Sequence, residues 1–225
     1  MKPHEHLGTA TTPDGSTLTL HRHDGDYSLR IDGVPLMSTR QSMSEQRLAE
    51  VACAGVARIE GPRVLIGGLG LGVTLTSALK LLPHDATVLV VEIVRDVIAW
   101  NQNPDYALAG PALADPRVEL RCGDVAHILR DPDNSFDAIM LDVDNGAEAM
   151  TTSGNYQLYA GTGIRAAKAA LRPGGRLVYW SATEDQAFAN TLEQAGLVVE
   201  VLKVPTHPSS KRVNVLFSAR RVSKR

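Results

Sequence analysis

The residues best equipped for chemistry in this sequence are a set of glycines and a set of acids. Residues 64 to 72 read VLIGGLGLG, an apolar run that ends in Gly67, Gly68, Gly70 and Gly72. Glycines let a backbone approach a ligand closely, and a helix starting just after them points free amide groups at it. Glu92 stands about twenty residues further on, at the end of the next apolar run, where a carboxylate can accept both hydroxyls of a ribose. Gly123-Asp124 and Asp142 close two later runs. An acid at the position of Asp142, beside the glycine loop, can take a proton from a nucleophilic amine or orient it. The set describes a nucleotide cradle with a candidate base next to it.

The surrounding pattern supplies elements to position these groups. Strand patterns fall at Val64–Ile66, Thr87–Val91, Val118–Arg121, Ala138–Leu141 and Arg176–Trp180. Helix patterns fall between and after them, at Thr74–Leu82, Val94–Gln102, Val125–Leu129, Ile164–Leu171 and Asp185–Ala195. Such alternation predicts a doubly wound, mostly parallel sheet. Leu197–Val204 and Val213–Ala219 are joined only by a short PTHPSSKR connection, so they should pair antiparallel. Ser44 is positioned to cap a helix over Glu45–Ala57 that Gly61-Pro62 would end. Before it, Leu18–His23, Tyr27–Ile31 and Val34–Ser38 read as strands joined by Asp-Gly turns, with His4 and His6 in a mobile tail. A sheet of two or three strands cannot form a core alone and must lean on the rest. The expected division is a β appendage over 1–43 and a Rossmann-like domain over 44–225.

The dinucleotide fingerprint G-x-G-x-x-G is absent: counted from Gly68 its sixth position is Val73, and from Gly70 it is Leu75. G-x-G-x-G from Gly68 to Gly72 instead resembles the loop of class I S-adenosylmethionine-dependent transferases. That resemblance implies a cofactor held by Gly67, Gly68, Gly70, Gly72 and Glu92, with Ile93 beside it, and an adenine read by Asp124 and Val125. IDGVPLMSTRQSMSEQRLAEVA, VVEIVRDVI, DPRVELRCGDV, FDAIMLDVDNG and VPTHPSSKRVNVLFSAR follow, in order, segments of the spermidine synthases. This closer resemblance runs from about Leu18 to Arg220. It implies an aminopropyltransferase-like fold, commonly dimeric, that takes decarboxylated S-adenosylmethionine and a polyamine. It also implies a cofactor contact at Gln46.

The departures from that family bear on the donor and the acceptor. Its loop carries an aspartate facing the aminopropyl amine, where this chain has Gly70. Like charges within a few ångströms in a partly dry site repel strongly. An uncharged loop therefore fits intact S-adenosylmethionine, whose tail bears a carboxylate. The family's two acceptor aspartates fall on Asp142 and Asn145, with Asp144 between them. Its two acceptor tyrosines fall on His207 and Glu45. Each has a plainer reading: His207 can bond locally, Glu45 can be a first-turn helix charge, and Asp144 can be solvated. The expected function is a transferase using S-adenosylmethionine, with Asp142 assisting methyl transfer to an amine acceptor. The alternatives are aminopropyl transfer from the decarboxylated donor, or a non-catalytic binding protein whose acceptor site has decayed.

Composition narrows the classes further. The 225 residues carry a formal net charge of −2, which disfavours non-specific nucleic-acid binding. No apolar run is long enough for a membrane span, and the N-terminal residues contain no signal core, so the expected location is cytoplasmic. The seven histidines lack metal-ligand spacing, and no metal is expected. Cys53 and Cys122 read as reduced packing residues, Trp100 as core, and the basic ARRVSKR as a solvated tail. The pair Tyr156 and Tyr159 fits either a lid or helix packing.

Overall fold

The computed structural model describes residues 4–143 and 156–222. Its strands are β1 (Glu5–Thr11), β2 (Thr17–His23), β3 (Asp26–Ile31), β4 (Val34–Ser38), β5 (Arg63–Gly67), β6 (Thr87–Glu92), β7 (Val118–Cys122), β8 (Phe136–Leu141), β9 (Leu171–Ser181), β10 (Val198–Pro205) and β11 (Val213–Arg220). The helices are α1 (Met43–Cys53), α2 (Val73–Leu81), α3 (Arg95–Gln102), α4 (Gly110–Leu113), α5 (Val125–Arg130), α6 (Tyr156–Tyr159), α7 (Gly161–Ala170) and α8 (Gln186–Gln194).

The seven-stranded sheet has the order β10-β11-β9-β8-β5-β6-β7. β5, β6, β7, β8 and β9 run parallel, and β11 returns antiparallel against β9 with β10 at its edge. This is the expected α/β Rossmann-like architecture of class I methyltransferases. Helices cover both faces of such a sheet, so its central strands must be apolar on both sides. All of β8 is buried, as is β5 after Arg63. The one acid inside β8, Asp137, is satisfied: Arg63 N–H donates to it at 2.8 Å and Arg172 Nη1 at 2.7 Å. The order of strands reverses between β5 and β8, which opens a crevice at their carboxyl ends.

The N-terminal sheet has four antiparallel strands, β1-β2-β3-β4. Asp24 and Asp32, with φ of 53° and 46°, make the tight turns that the Asp-Gly pairs predict. One strand was not expected. β1 lies where the sequence suggests a mobile tail, with His6 opposite His21 and Glu5 Oε2 accepting from Arg22 Nη2 at 2.6 Å. The imidazole of His4 stacks on that of His23, with ring centroids 3.8 Å apart. Buried Leu18, Leu20, Tyr27, Leu29 and Ile31 face inward and join one apolar cluster with α1, α2 and the main sheet. The small sheet thus leans on the core it cannot form alone.

α1 is shifted from its expected span. Its N-cap is Ser42 rather than Ser44, and it stops at Cys53 rather than Ala57. Ala54 turns extended and Gly55 takes φ 89°, so Val56–Arg58 forms a separate 3₁₀ turn. Apolar spacing continued past a break that the backbone makes at a glycine. Two smaller expectations also change, and one open alternative narrows. Cys122 is exposed at the end of β7, whereas Cys53 is buried. Arg221 belongs to no loose tail, because its guanidinium donates to the carbonyls of Lys168, Ala169 and Leu171 at the end of α7. Tyr159 packs against Tyr179 and Phe188, which favours helix packing over a lid at that residue. Trp100 packs on the core, as expected. Among the described residues no helix is long and apolar enough to cross a membrane.

Leu48 of α1 is fully buried within the cluster that joins the two sheets. Leu48→Ala should cost about 2–5 kcal/mol. Urea unfolding should show a lower midpoint at an unchanged slope.

Candidate active site

A cavity of about 540 Å³ lies at the carboxyl ends of β5, β6, β7 and β8. Gly68, Glu92, Asp124 and Asp142 line it, each from the turn or terminus that follows one of these strands. The parallel register explains the convergence: Gly67 stands beside Val91 on one side and Leu141 on the other. β3 and β4 of the small sheet close the opposite wall, with Met37 resting on the glycine loop.

The glycines divide into two kinds. Gly68 and Gly70 line the cavity. Gly68 has φ 90°, and a Cβ there would collide with the carbonyl of Asp142. Gly70 has φ 52°, and a Cβ there would lie 2.7 Å from Met37 Sδ. Gly67 and Gly72 serve packing instead. A Cβ on Gly67 would press on Val125 and Leu141, and one on Gly72 on Ala109. The loop is clamped by Asn101, whose Nδ2 donates to the carbonyl of Gly70 at 2.8 Å while its Oδ1 accepts from Ala109 N–H at 3.2 Å. Asn101 was not singled out from sequence. Its only signal was a polar residue on the inward face of α3.

The acids differ in how they are satisfied. Glu92 is buried, and both its oxygens accept backbone N–H groups, from Leu69 and Val94, each at 2.8 Å. Burial still pushes its pKa above the usual carboxylate range against those bonds. Asp124 caps α5 through Ala126 N–H at 2.8 Å, and it also lines the cavity. Ile93 and Val125 line it too. Among the described residues, Asp142 accepts one hydrogen bond, from Thr74 Oγ1 at 3.1 Å. Its pKa is pushed up to about 7, first by burial and then by the charges of Glu45 and Glu92.

The residues expected on an acceptor side, and Gln46, sort unevenly. Glu45 is buried and lines the cavity, although a surface helix charge was the plainer expectation. Its Oε2 accepts from Ser44 Oγ at 2.5 Å, and Ser44 Oγ accepts from Asn214 Nδ2 at 2.9 Å. Burial raises the pKa of Glu45 as well. Gln46 is exposed and does not line the cavity; its Nε2 donates to Ser42 Oγ at 3.3 Å. Gln41, at the end of the 3₁₀ turn Thr39–Gln41 that precedes α1, lines the cavity together with Glu45. His207 is also exposed, bonded to Ser209 Oγ at 2.9 Å, while its neighbour Thr206 lines the cavity. Both lie in the bend that follows β10, where His207 opens a turn closed by Ser210 N–H donating to its carbonyl at 2.9 Å. Asp144 and Asn145 lie outside the described residues.

Asp142 gives a stability prediction. Its folded pKa is raised, so the folded state holds a proton that the unfolded chain has lost, and stability falls as pH rises from about 4 to about 7. Asp142→Asn removes that dependence. Urea unfolding should find the variant more stable than the parent at pH 8, with the gap closing near pH 4.

No family model matches the chain. A curated relative, the polyamine aminopropyltransferase of Nitrosomonas europaea, is 30% identical over 151 residues, which are 67% of this chain and 44% of the relative. The chain thus spans less than half the length of that relative. Among solved structures, the spermidine synthase of Thermotoga maritima superposes with a TM-score of 0.73 at 19% identity, covering 97% of this chain and 73% of that one. A spermidine synthase in complex with the transition state analogue AdoDATO superposes with a TM-score of 0.72 at 20% identity, over the same shares. The chain has the spermidine synthase-like form of the class I methyltransferase fold, and over the matched residues its sequence is similar to that of a polyamine aminopropyltransferase.

Proposed function

We propose that this chain transfers an aminopropyl group from decarboxylated S-adenosylmethionine to an amine. The observation that carries this reading is the charge of the cavity. Glu45, Glu92 and Asp142 line it together with Arg30 and Arg212, and none of the three acids takes part in an ion pair with a lysine or arginine among the described residues, so their charge is left for a ligand to balance. Acids gathered in a partly dry space favour cationic ligands and repel a carboxylate. The decarboxylated donor carries a sulfonium and an ammonium and no anion. The relative named as a polyamine aminopropyltransferase and the spermidine synthase in complex with AdoDATO support the same choice.

This ordering reverses the one that Gly70 suggested. An uncharged loop favoured a donor with a carboxylate only if the rest of the site was neutral. The contact of Met37 with Gly70 gives a second reason for glycine there, since a side chain would have to displace the methionine. Methyl transfer from intact S-adenosylmethionine remains the second reading, favoured by the absence of an acid at position 70.

In the proposed reaction the chain holds the donor by its nucleoside end. Glu92 accepts from the ribose hydroxyls, and the Asp124 oxygen not engaged in capping accepts from the adenine amino group. Gly68 and Gly70 allow the backbone close to the donor tail. The donor itself supplies a sulfonium, which is already a good leaving group, so positioning provides most of the rate. Asp142 takes a proton from the acceptor's ammonium. The freed lone pair forms the new N–C bond at the sulfonium-bound methylene, and the C–S electron pair leaves with sulfur as a thioether. A base of pKa about 7 matches this task at neutral pH.

Isothermal calorimetry separates the donors. The decarboxylated form should bind more tightly than S-adenosylmethionine, and the reverse order would restore methyl transfer. With the decarboxylated donor and an amine, Asp142→Asn should lower kcat by about 10²–10⁴. The parent's kcat/KM should fall as pH drops below about 7, where Asp142 of the free protein becomes protonated. Unchanged turnover in the variant would remove Asp142 from the reaction.

A further inference from the structure

Glu45 sits at the acceptor side of the cavity in a setting built to hold it. It is 7% exposed, Ser44 is fully buried and Asn214 is 6% exposed. Asn214 of β11 donates to Ser44, and Ser44 donates to Glu45 Oε2, so a chain of side-chain bonds runs from the main sheet through α1 to one carboxylate oxygen. A buried amide and hydroxyl are costly unless bonded, and here both are spent on orienting an acid. Oε1 of Glu45 has no hydrogen bond to another residue among the described residues. Asp142 has the same form: Thr74 holds Oδ2, and Oδ1 accepts no hydrogen bond from the described residues.

The charges facing the pair are known from each element. Glu92, at the end of β6, acts on Asp142 and shares its sign. Arg30 of β3 and Arg212, just before β11, also line the cavity, but neither forms an ion pair with Glu45 or Asp142. Breaking or lacking a partner leaves a buried carboxylate expensive, so a ligand cation gains much by supplying one. An ammonium group has N–H donors enough for both open oxygens, whereas a hydroxyl has only one.

We propose that Glu45 is the second carboxylate of the acceptor site, that Ser44 and Asn214 are its positioning residues, and that the acceptor is an aliphatic amine that enters as its ammonium ion and is seated between Glu45 Oε1 and Asp142 Oδ1. This rests on the transfer reading above. Glu45 stays ionised through the step. It keeps its N–H bond to the nitrogen while Asp142 takes the proton, and it balances the charge of the secondary ammonium product. Aromatic amines and alcohols, uncharged at neutral pH, are poor acceptors on this account.

The test uses the full chain with the decarboxylated donor and a panel of primary alkylamines, an aniline and an amino-free alcohol. Glu45→Gln, which keeps the bond from Ser44, should raise the KM for alkylamines at least tenfold. Affinity for methylthioadenosine, which reports an intact cavity, should change less than twofold. Ser44→Ala and Asn214→Ala should raise the same KM less, and Glu45→Asp should recover part of the loss. An unchanged alkylamine KM in Glu45→Gln, with methylthioadenosine affinity kept, overturns the proposal. So does equal use of the aniline and the alkylamines by the parent. If the parent turns over nothing, the transfer reading fails by itself. Calorimetry of an alkylamine with methylthioadenosine present then decides the seat: binding lost in Glu45→Gln supports it, and binding retained or absent in the parent overturns it.

Discussion

The site depends on one constraint: carboxylates gathered at the carboxyl edge of a parallel sheet must be satisfied without water. The fold meets it by degrees. Glu92 accepts one backbone amide at each oxygen, from the glycine loop and from the start of α3, so it ties β6 to that loop and keeps a second lone pair on each oxygen for a ligand. Asp124 spends one oxygen on capping α5. Asp142 and Glu45 are each half satisfied, by Thr74 and Ser44. The gradient runs from structural acids to acids whose remaining capacity faces a cavity. Half-satisfied buried acids are the ones whose ionisation responds to a ligand.

The small N-terminal sheet acquires its purpose from this arrangement. It cannot fold on its own core, and it shares one with α1 and α2. Packing there brings β4 over the loop and places Met37 on Gly70. It also gives the cavity an outer wall from β3 and β4. A wall of this kind excludes water, which raises the worth of every charge inside. The same core burial that stabilises the sheet therefore strengthens the electrostatics of the site.

Much of this was legible in the sequence, for reasons that differ by element. The central strands stand out because a doubly covered parallel sheet demands continuous apolar runs, and the acids that end them follow from the register. The N-terminal limit of the small sheet was hidden, since β1 has Ala10 as its only fully buried residue and its polar outer face reads as tail. α1 misled in two ways. Apolar spacing ran past the backbone break at Gly55, and a one-residue step of about 100° on a helix separates buried Glu45 from exposed Gln46. Motif matching treated those neighbours as equally placed, and only the direction of the helix face distinguishes them. The Asn214–Ser44 bond joins residues 170 positions apart, and no local pattern reveals such a pair.

On the proposed reading, Gly70 alone does not decide the donor. Coulomb interactions at a few ångströms add over every group in range, so removing one acid changes the sign of a site only where no others remain. Here Glu45 occupies the cavity from α1, a direction the loop motif does not report. A carboxylate tail would meet Glu45 and Asp142 even with no acid at position 70, while an ammonium tail would meet attraction. On the proposed reading the uncharged loop is a local consequence of Met37 packing on a left-handed glycine, and the acids across the cavity rather than the loop select the donor.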